Sequence, residues 1–420
     1  MNIIISAFSS RALVETAAQC DLNIYSFDYF GDQDLLKYAA DNFSIKKDSG
    51  SRYSPEKLAA LIEDFADERP LELFYFVYAS SWDNHPDLIK RIENMKNIIL
   101  LGNNSRILKK LSAKKGLEKT FNLLQKTELK IPELIFEQNN LIEKLENNKS
   151  GKNYLLKPLK SGGGKKIELL KDRKDYQKLS KKLLKEEGRD WIKNYYFEEF
   201  IKGKIFSLQF AADGSQAKII SVTEQLINNK GNSNFKYGGN ILIKKKAAEI
   251  KVLKEAAHLL TKEYKLKGIN GIDFIQKDEE IYFIELNPRF TAAVELLIPI
   301  YGCSLLKSYY AEDISEISNF DYQKNYLNSD FKEYGKVIYY AQNDIIVLDD
   351  LAKVNNNLQT ARINFEKTDL QIKDIPKKGE KFNSGDPVCT LIINAENREA
   401  FWRAAENAVL EMKKFFKILD

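Results

Sequence analysis

Between Gly271 and Phe290 the sequence leaves the chain little choice but a β-hairpin. Ile272, Phe274 and the run Ile281-Tyr282-Phe283-Ile284 are strand formers, and Lys277-Asp278-Glu279-Glu280 is a polar turn between them. Asp273 lies on the first strand, and Glu285 and Asn287 lie at the end of the second. Glu285 and Asn287 are two apart and share a face, so three oxygen-bearing side chains can converge across the pair. Hard oxygen donors on neighbouring strands suit Mg²⁺ when it also takes phosphate oxygens. Arg289 follows two residues later and offers a planar fork to phosphate charge. The plain alternative is a solvated hairpin with Pro288 as its stop.

The rest of the chain bounds what such a hairpin can serve. A length of 420 residues suits two or three domains. Basic and acidic residues number 65 and 60, so the net charge of +5 calls for no nucleic-acid partner. Lys244-Lys245-Lys246 and Lys181-Lys182 read as solvated faces. Cys20, Cys303 and Cys389 are widely spaced, which predicts no disulfide framework and a cytoplasmic setting. No signal peptide and no apolar run of membrane-span length is apparent, so no membrane partner is expected. With only His85 and His258 there is little material for a zinc site or a Ser-His-Asp triad.

Strands over Asn2–Ala7, Leu22–Phe27, Leu71–Tyr78 and Ile98–Leu101 alternate with helical segments, which predicts a doubly wound parallel sheet. No GxGxxG follows the first strand, so NAD is disfavoured. Further on, Tyr154-Leu155-Leu156-Lys157-Pro158 is a strand carrying one lysine. It leads into Ser161-Gly162-Gly163-Gly164-Lys165 and a second strand. Three consecutive glycines let backbone N–H groups close around phosphate oxygens. The Gly-Lys-Ser/Thr that opens a helix in a Walker A loop is missing. From about Lys332 the chain turns β-rich, with strands over Lys336–Ala341 and Ile345–Leu348 and a last helix burying Phe401, Ala408, Met412 and Phe415.

An acidic residue followed twelve positions later by Glu-x-Asn-Pro-Arg resembles the metal hairpin of the ATP-grasp superfamily, and the parts upstream stand in that superfamily's order. The resemblance runs from about Lys119 to Glu295 and best fits predicted carboligases related to biotin carboxylase. It implies a pre-ATP-grasp domain over 1–105, an ATP-grasp domain of two α+β lobes over 106–315, and a C-terminal β-rich cap over 316–420. The whole is then α/β and α+β in class. It implies ATP and Mg²⁺ (or Mn²⁺) as cofactors, with Asp273, Glu285 and Asn287 as metal ligands; Asp273 stands where Glu is commoner. Lys157 and Arg289 become the catalytic pair, and Ser161, Gly162, Gly163 and Gly164 the phosphate flap. A helix lysine contacts the phosphates in such enzymes; spacing favours Lys119, with Lys114 and Lys115 as rivals. The hinge falls on Glu198-Glu199-Phe200-Ile201. Glu198 or Glu199 is its carboxylate and Ile201 its backbone contact to adenine.

The activity implied is carboxylate–amine ligation through an acyl phosphate. Its partners are a small carboxylic acid and an amine, and a homodimer is left open. Bicarbonate-dependent carboxylation and a non-catalytic nucleotide-binding regulator are the alternatives. The tail also resembles part of a biotinyl barrel, but it lacks a Met-Lys-Met hairpin.

Overall fold

The computed structural model describes residues 1–50, 52–147, 151–160, 162–228, 235–317, 320, 331–351, 353 and 368–419. Among them, the first sheet contains β1 (Asn2–Ser6), β2 (Asn23–Asp28), β3 (Asp41–Ser44), β4 (Phe74–Tyr78) and β5 (Ile98–Leu100). They run parallel in the order β3-β2-β1-β4-β5. Ile3, Ile4 and Ile5 are all buried, as a strand covered on both faces requires. The helix Pro55–Asp67 covers one face with Leu58, Ile62 and Phe65. It starts where Ser54 Oγ accepts from Lys57 N and proline fills the first turn. The strand order reverses between β1 and β4, and the loops after those strands open the crevice where such sheets bind ligands.

A small lobe follows. Its sheet has the order β6-β9-β7-β8, made of β6 (Leu134–Ile135), β7 (Tyr154–Pro158), β8 (Glu168–Leu170) and β9 (Tyr195–Glu199). Helices Gln138–Glu146 and Arg173–Glu187 pack on it through Leu141, Leu145, Tyr176 and Leu183.

The large lobe is built on an antiparallel sheet of β10 (Lys204–Asp213), β11 (Ala217–Asn228), β12 (Lys236–Leu242), β13 (Lys267–Lys277) and β14 (Glu280–Asn287). The predicted stripe of helix Ala247–Tyr264 lies against it: Leu253, Ala257, Leu260 and Tyr264 are buried and Ile250 is half-buried. This core is continuous with the first sheet through Ile3, Ile5 and Val77.

The β-rich tail joins the sheet of the large lobe. β15 (Glu333–Tyr340) pairs with β12 and carries β19 (Pro387–Ala395) and β17 (Asp369–Lys373) with it. The eight strands therefore run β14-β13-β10-β11-β12-β15-β19-β17. β16 (Ile345–Val347), β18 (Lys381–Phe382) and β20 (Phe416–Ile418) form a small sheet of their own. The edge left open at β12 is satisfied by β15. Helix Arg398–Lys413 buries Phe401, Ala408 and Met412 against that sheet, with Phe415 half-buried beside them.

The cysteine reading is corrected. Cys20 and Cys303 are bonded, S–S 2.25 Å, across 283 residues of sequence. Only tertiary packing brings two such positions together, so spacing carries no sign of it. Among the described residues no helix is long and apolar enough to cross a membrane.

Candidate active site

The hairpin forms as its residues require. β13 and β14 turn through Asp278, whose φ of 54° is tolerated by a short polar side chain. The register sets Asp273 directly opposite Glu285 and Gly271 opposite Asn287. The Asn287 amide donates to Asp273 Oδ2 at 3.2 Å and to Glu285 Oε1 at 3.4 Å. Burial, and then the Glu285 charge facing it, push the Asp273 carboxyl up to about 7. Two carboxylates and an amide oxygen form a hard donor set, and the repulsion between the carboxylates is what a divalent cation relieves. The residues therefore fit Mg²⁺. They are two acids rather than three, and among the described residues no group of three or more His, Cys, Asp or Glu gathers at one point.

Arg289 leaves the end of β14 and turns inward. Its Nη2 donates to Asn287 Oδ1 at 3.2 Å, and its Nε stands 2.9 Å from Asp83 Oδ2. Burial opposes the charge, but Asp83 outweighs it and the guanidinium is held still more firmly protonated. Asp83 sits in the loop after β4, so the parallel sheet aims the arginine of the other lobe. No sequence signal marked Asp83.

Across the cleft, Lys157 on β7 is buried and donates to both oxygens of Glu198 on β9, at 3.2 and 3.1 Å. Leu155 pairs with Glu198 and Lys157 with Tyr196, so lysine and glutamate are diagonal neighbours. Burial alone would lower the Lys157 pKa; the Glu198 charge raises it instead. The Glu285 charge also raises this lysine, so the β13–β14 hairpin lies within its electrostatic reach. The pairing could have been anticipated, since Lys157 is the one charge in its strand and Glu198 directly follows three aromatic residues.

Glu199 is paired with Lys152 at 2.9 Å. In the hinge, the N–H groups of Glu199 and Phe200 are taken by Glu133 O and Asn153 O. Ile201 is then the first hinge residue whose N–H has no partner among the described residues. The flap glycines differ in their surroundings. A Cβ on Gly164 would lie 1.8 Å from Phe235 O, whereas Gly162 and Gly163 face open space. Gly163 O accepts from Tyr237 N at 3.4 Å, so the flap rests on the segment entering β12. Ser161 lies outside the described residues.

The helix lysines separate. Lys119 is exposed and ion-paired with Glu263 on the neighbouring helix. Lys114 reaches the small lobe: its Nζ donates to Ile192 O at 3.4 Å and stands 5.7 Å from the Phe136 ring. Phe136 in turn lies 6.2 Å from Tyr196, the cross-strand partner of Lys157.

Residues 117–293 match the model of the ATP-grasp domain. Over 427 aligned residues, covering 99% of this chain and 93% of the relative, the chain is 25% identical to an uncharacterized protein of Methanocaldococcus jannaschii. It is 27% identical to the D-alanine–D-alanine ligase of Fusobacterium nucleatum over 39% of this chain and 54% of that one. In fold it is similar to the biotin carboxylase domain of Hydrogenobacter thermophilus 2-oxoglutarate carboxylase, solved with MgADP and bicarbonate. The TM-score there is 0.69 at 14% identity, covering 100% of this chain and 90% of that one.

Proposed function

We propose, from the premise that residues 117–293 form an ATP-grasp domain, that the chain is an ATP-dependent carboxylate–amine ligase. It joins a small carboxylic acid to an amine through an acyl phosphate and releases ADP and phosphate. The observation that carries the reading is the opposition of Asp273 and Glu285, with Asn287 bridging them and Arg289 fixed at the strand end. The ligase relative supports it.

In this reading Lys157 and the flap Gly162–Gly164 hold the phosphates, and the Ile201 N–H meets the adenine edge. Lys114, which faces the small lobe, takes the helix-lysine role in place of Lys119. Bound at Asp273, Glu285 and Asn287, Mg²⁺ (or Mn²⁺) supplies charge neutralisation to the β- and γ-phosphates. The substrate carboxylate attacks the γ-phosphorus, and the bond to the ADP oxygen breaks with its electron pair going to ADP. Arg289, oriented by Asp83, balances the charge of the acyl phosphate. The amine nitrogen then attacks the acyl carbon, phosphate departs, and the nitrogen gives up a proton. Positioning and charge neutralisation carry such a transfer without a protein nucleophile.

Trapping with hydroxylamine tests the intermediate before the amine is known. The protein, MgATP, pooled carboxylic acids and hydroxylamine are expected to give ADP and a hydroxamate in equal amounts. ADP without hydroxamate across the pool would count against an acyl phosphate. The likeness to a bicarbonate-bound carboxylase domain favours one second reading, carboxylation; there ADP release would follow bicarbonate alone.

A further inference from the structure

The loop after β2 holds a carboxylate that the reaction above does not use. It runs Asp28-Tyr29-Phe30-Gly31-Asp32-Gln33-Asp34 and lies at the crevice end of the parallel sheet. It is tied to the segment after β17: Asp34 accepts from Ile375 N at 2.9 Å and from Asp374 N at 3.0 Å, and Gln33 Nε2 donates to Pro376 O at 2.8 Å.

The charges of Asp374, Asp28, Asp34 and Glu380 act on Asp32. Each of the four is served. Asp28 accepts from Gly31 N at 3.0 Å and from Ser10 Oγ at 3.1 Å. Asp34 and Asp374 share Arg11, whose Nε is 3.6 and 3.0 Å from them. Glu380 pairs with Lys46 at 2.5 Å. Asp32 is only 6% exposed, yet its side chain makes no hydrogen bond and no ion pair among the described residues, and Oδ2 is fully enclosed. Burial first, and then these four charges, push the Asp32 carboxyl well up, so its charged form is costly unless a cation meets it.

The surroundings suit an ammonium better than a metal. The acids do not gather as a coordination shell. Four rings stand at this end of the sheet instead: Phe8 lies 5.4 Å from Tyr29, 5.0 Å from Phe30 and 4.9 Å from Tyr53. All four are half-buried, and ring faces attract cations. The same neighbourhood already receives one ammonium in this way. Lys46 Nζ is 3.8 Å from the Phe382 ring and 5.6 Å from that of Phe30 while it pairs with Glu380. The flap leans towards the cluster too, with Lys165 Nζ 5.8 Å from the Phe8 ring.

We infer that Asp32 receives a substrate ammonium, so that the acceptor is a diamine or a basic amino acid. One nitrogen stays protonated at Asp32 beside the Phe8–Tyr29–Phe30–Tyr53 rings, and the other is the nucleophile. The inference rests on the ligase reading, and its test separates the two.

The full chain, saturated with MgADP, is titrated calorimetrically with 1,4-diaminobutane and with L-lysine, and with two net-neutral counterparts, 1-butanol, which has no ammonium, and L-norleucine, which lacks the side-chain one. At least one cationic probe is expected to bind, and neither neutral one. Asp32→Asn is expected to weaken that binding at least about ten-fold, as loss of a charged hydrogen bond does, with MgADP affinity unchanged. Asp32→Glu, which keeps the charge, is expected to retain most of it. Tyr29→Leu, at a half-buried ring, tests the same site without touching the acid and is expected to weaken binding. Equal binding by Asp32→Asn, equal binding of the neutral probes, or no binding of either cation while MgADP still binds would overturn the inference. Competition by Mg²⁺ for the Asp32 site would also overturn it, in favour of a metal. Failure to bind MgADP at all would instead strike the ligase reading.

Discussion

Two charged clusters flank the cleft, and they are built in opposite ways. The metal hairpin takes Asp273, Glu285, Asn287 and Arg289 from one short stretch, and strand register alone sets them together. The cluster around Arg11 takes Glu15 and Asp34 from the first sheet's loops and helix, Glu295 from the segment after Arg289, and Lys336, Lys373 and Asp374 from the tail. The first has fewer cations than its carboxylates need, which is what the proposed metal site requires. The second is largely neutralised internally. Burial pushes the Glu295 carboxyl up, but Arg11 and Lys336 hold it below its ordinary range. Local assembly thus goes with chemistry, and long-range assembly with holding three segments of the chain in place.

That contrast can be broken from either side. The largest effect is expected at the hairpin. Glu285→Gln should cut Mg²⁺-dependent ATP turnover by roughly 100-fold or more, while the thermal midpoint stays that of the parent. Normal turnover would remove Glu285 from the metal site. Arg11→Met should do the reverse. Arg11 is 1% exposed, and its loss strands buried carboxylates, so unfolding by denaturant should show a loss of ~3–5 kcal/mol. A loss near zero would mean the cluster holds nothing together.

A subtler pair of effects lies in pH. Burial raises the Asp374 carboxyl, but Arg11 outweighs it and depresses the group to about 2. A depressed carboxyl stabilises the fold above its unfolded value, and that stability should be lost as pH falls from about 4 to 2. Asp28 has the opposite sign. Burial raises it to about 6, so the unfolded chain releases that proton first. Stability should then decline between about pH 4 and 6 and not recover above. Asp374→Asn should flatten the acid limb and Asp28→Asn the middle one, read from denaturant midpoints across pH. The smallest effect is at Lys119. Exposed and paired with Glu263, it should tolerate alanine with no change in KM for ATP, whereas Lys114→Ala should raise it. The reverse result would return the helix-lysine role to Lys119.

The sequence carried the local features well. The hairpin, the Lys157 strand, the glycine flap and the stripe of helix Ala247–Tyr264 each follow from periodicity or turn chemistry within a few residues. The parallel first sheet was legible from its alternating elements. What stayed hidden depends on distance along the chain. The Cys20–Cys303 bond, the Asp83–Arg289 pair and the Arg11 cluster join residues hundreds of positions apart. The fusion of β15 onto β12 is likewise a matter of which strand finds an open edge, and alternation within β15 cannot reveal it. The proposed choice of Lys114 over Lys119 rests on which face of one helix meets the small lobe. Three lysines within six residues leave that open until the lobe is placed.

The proposed coupling in this cleft is of ATP cleavage to the joining of an acid and an amine. It is tested most directly by measuring ADP release from MgATP with carboxylic acids and amines, singly and together, and with bicarbonate in parallel. The account predicts release only when an acid and an amine are both present, with an amide of the summed mass less water. Release driven by bicarbonate with no amine would contradict it.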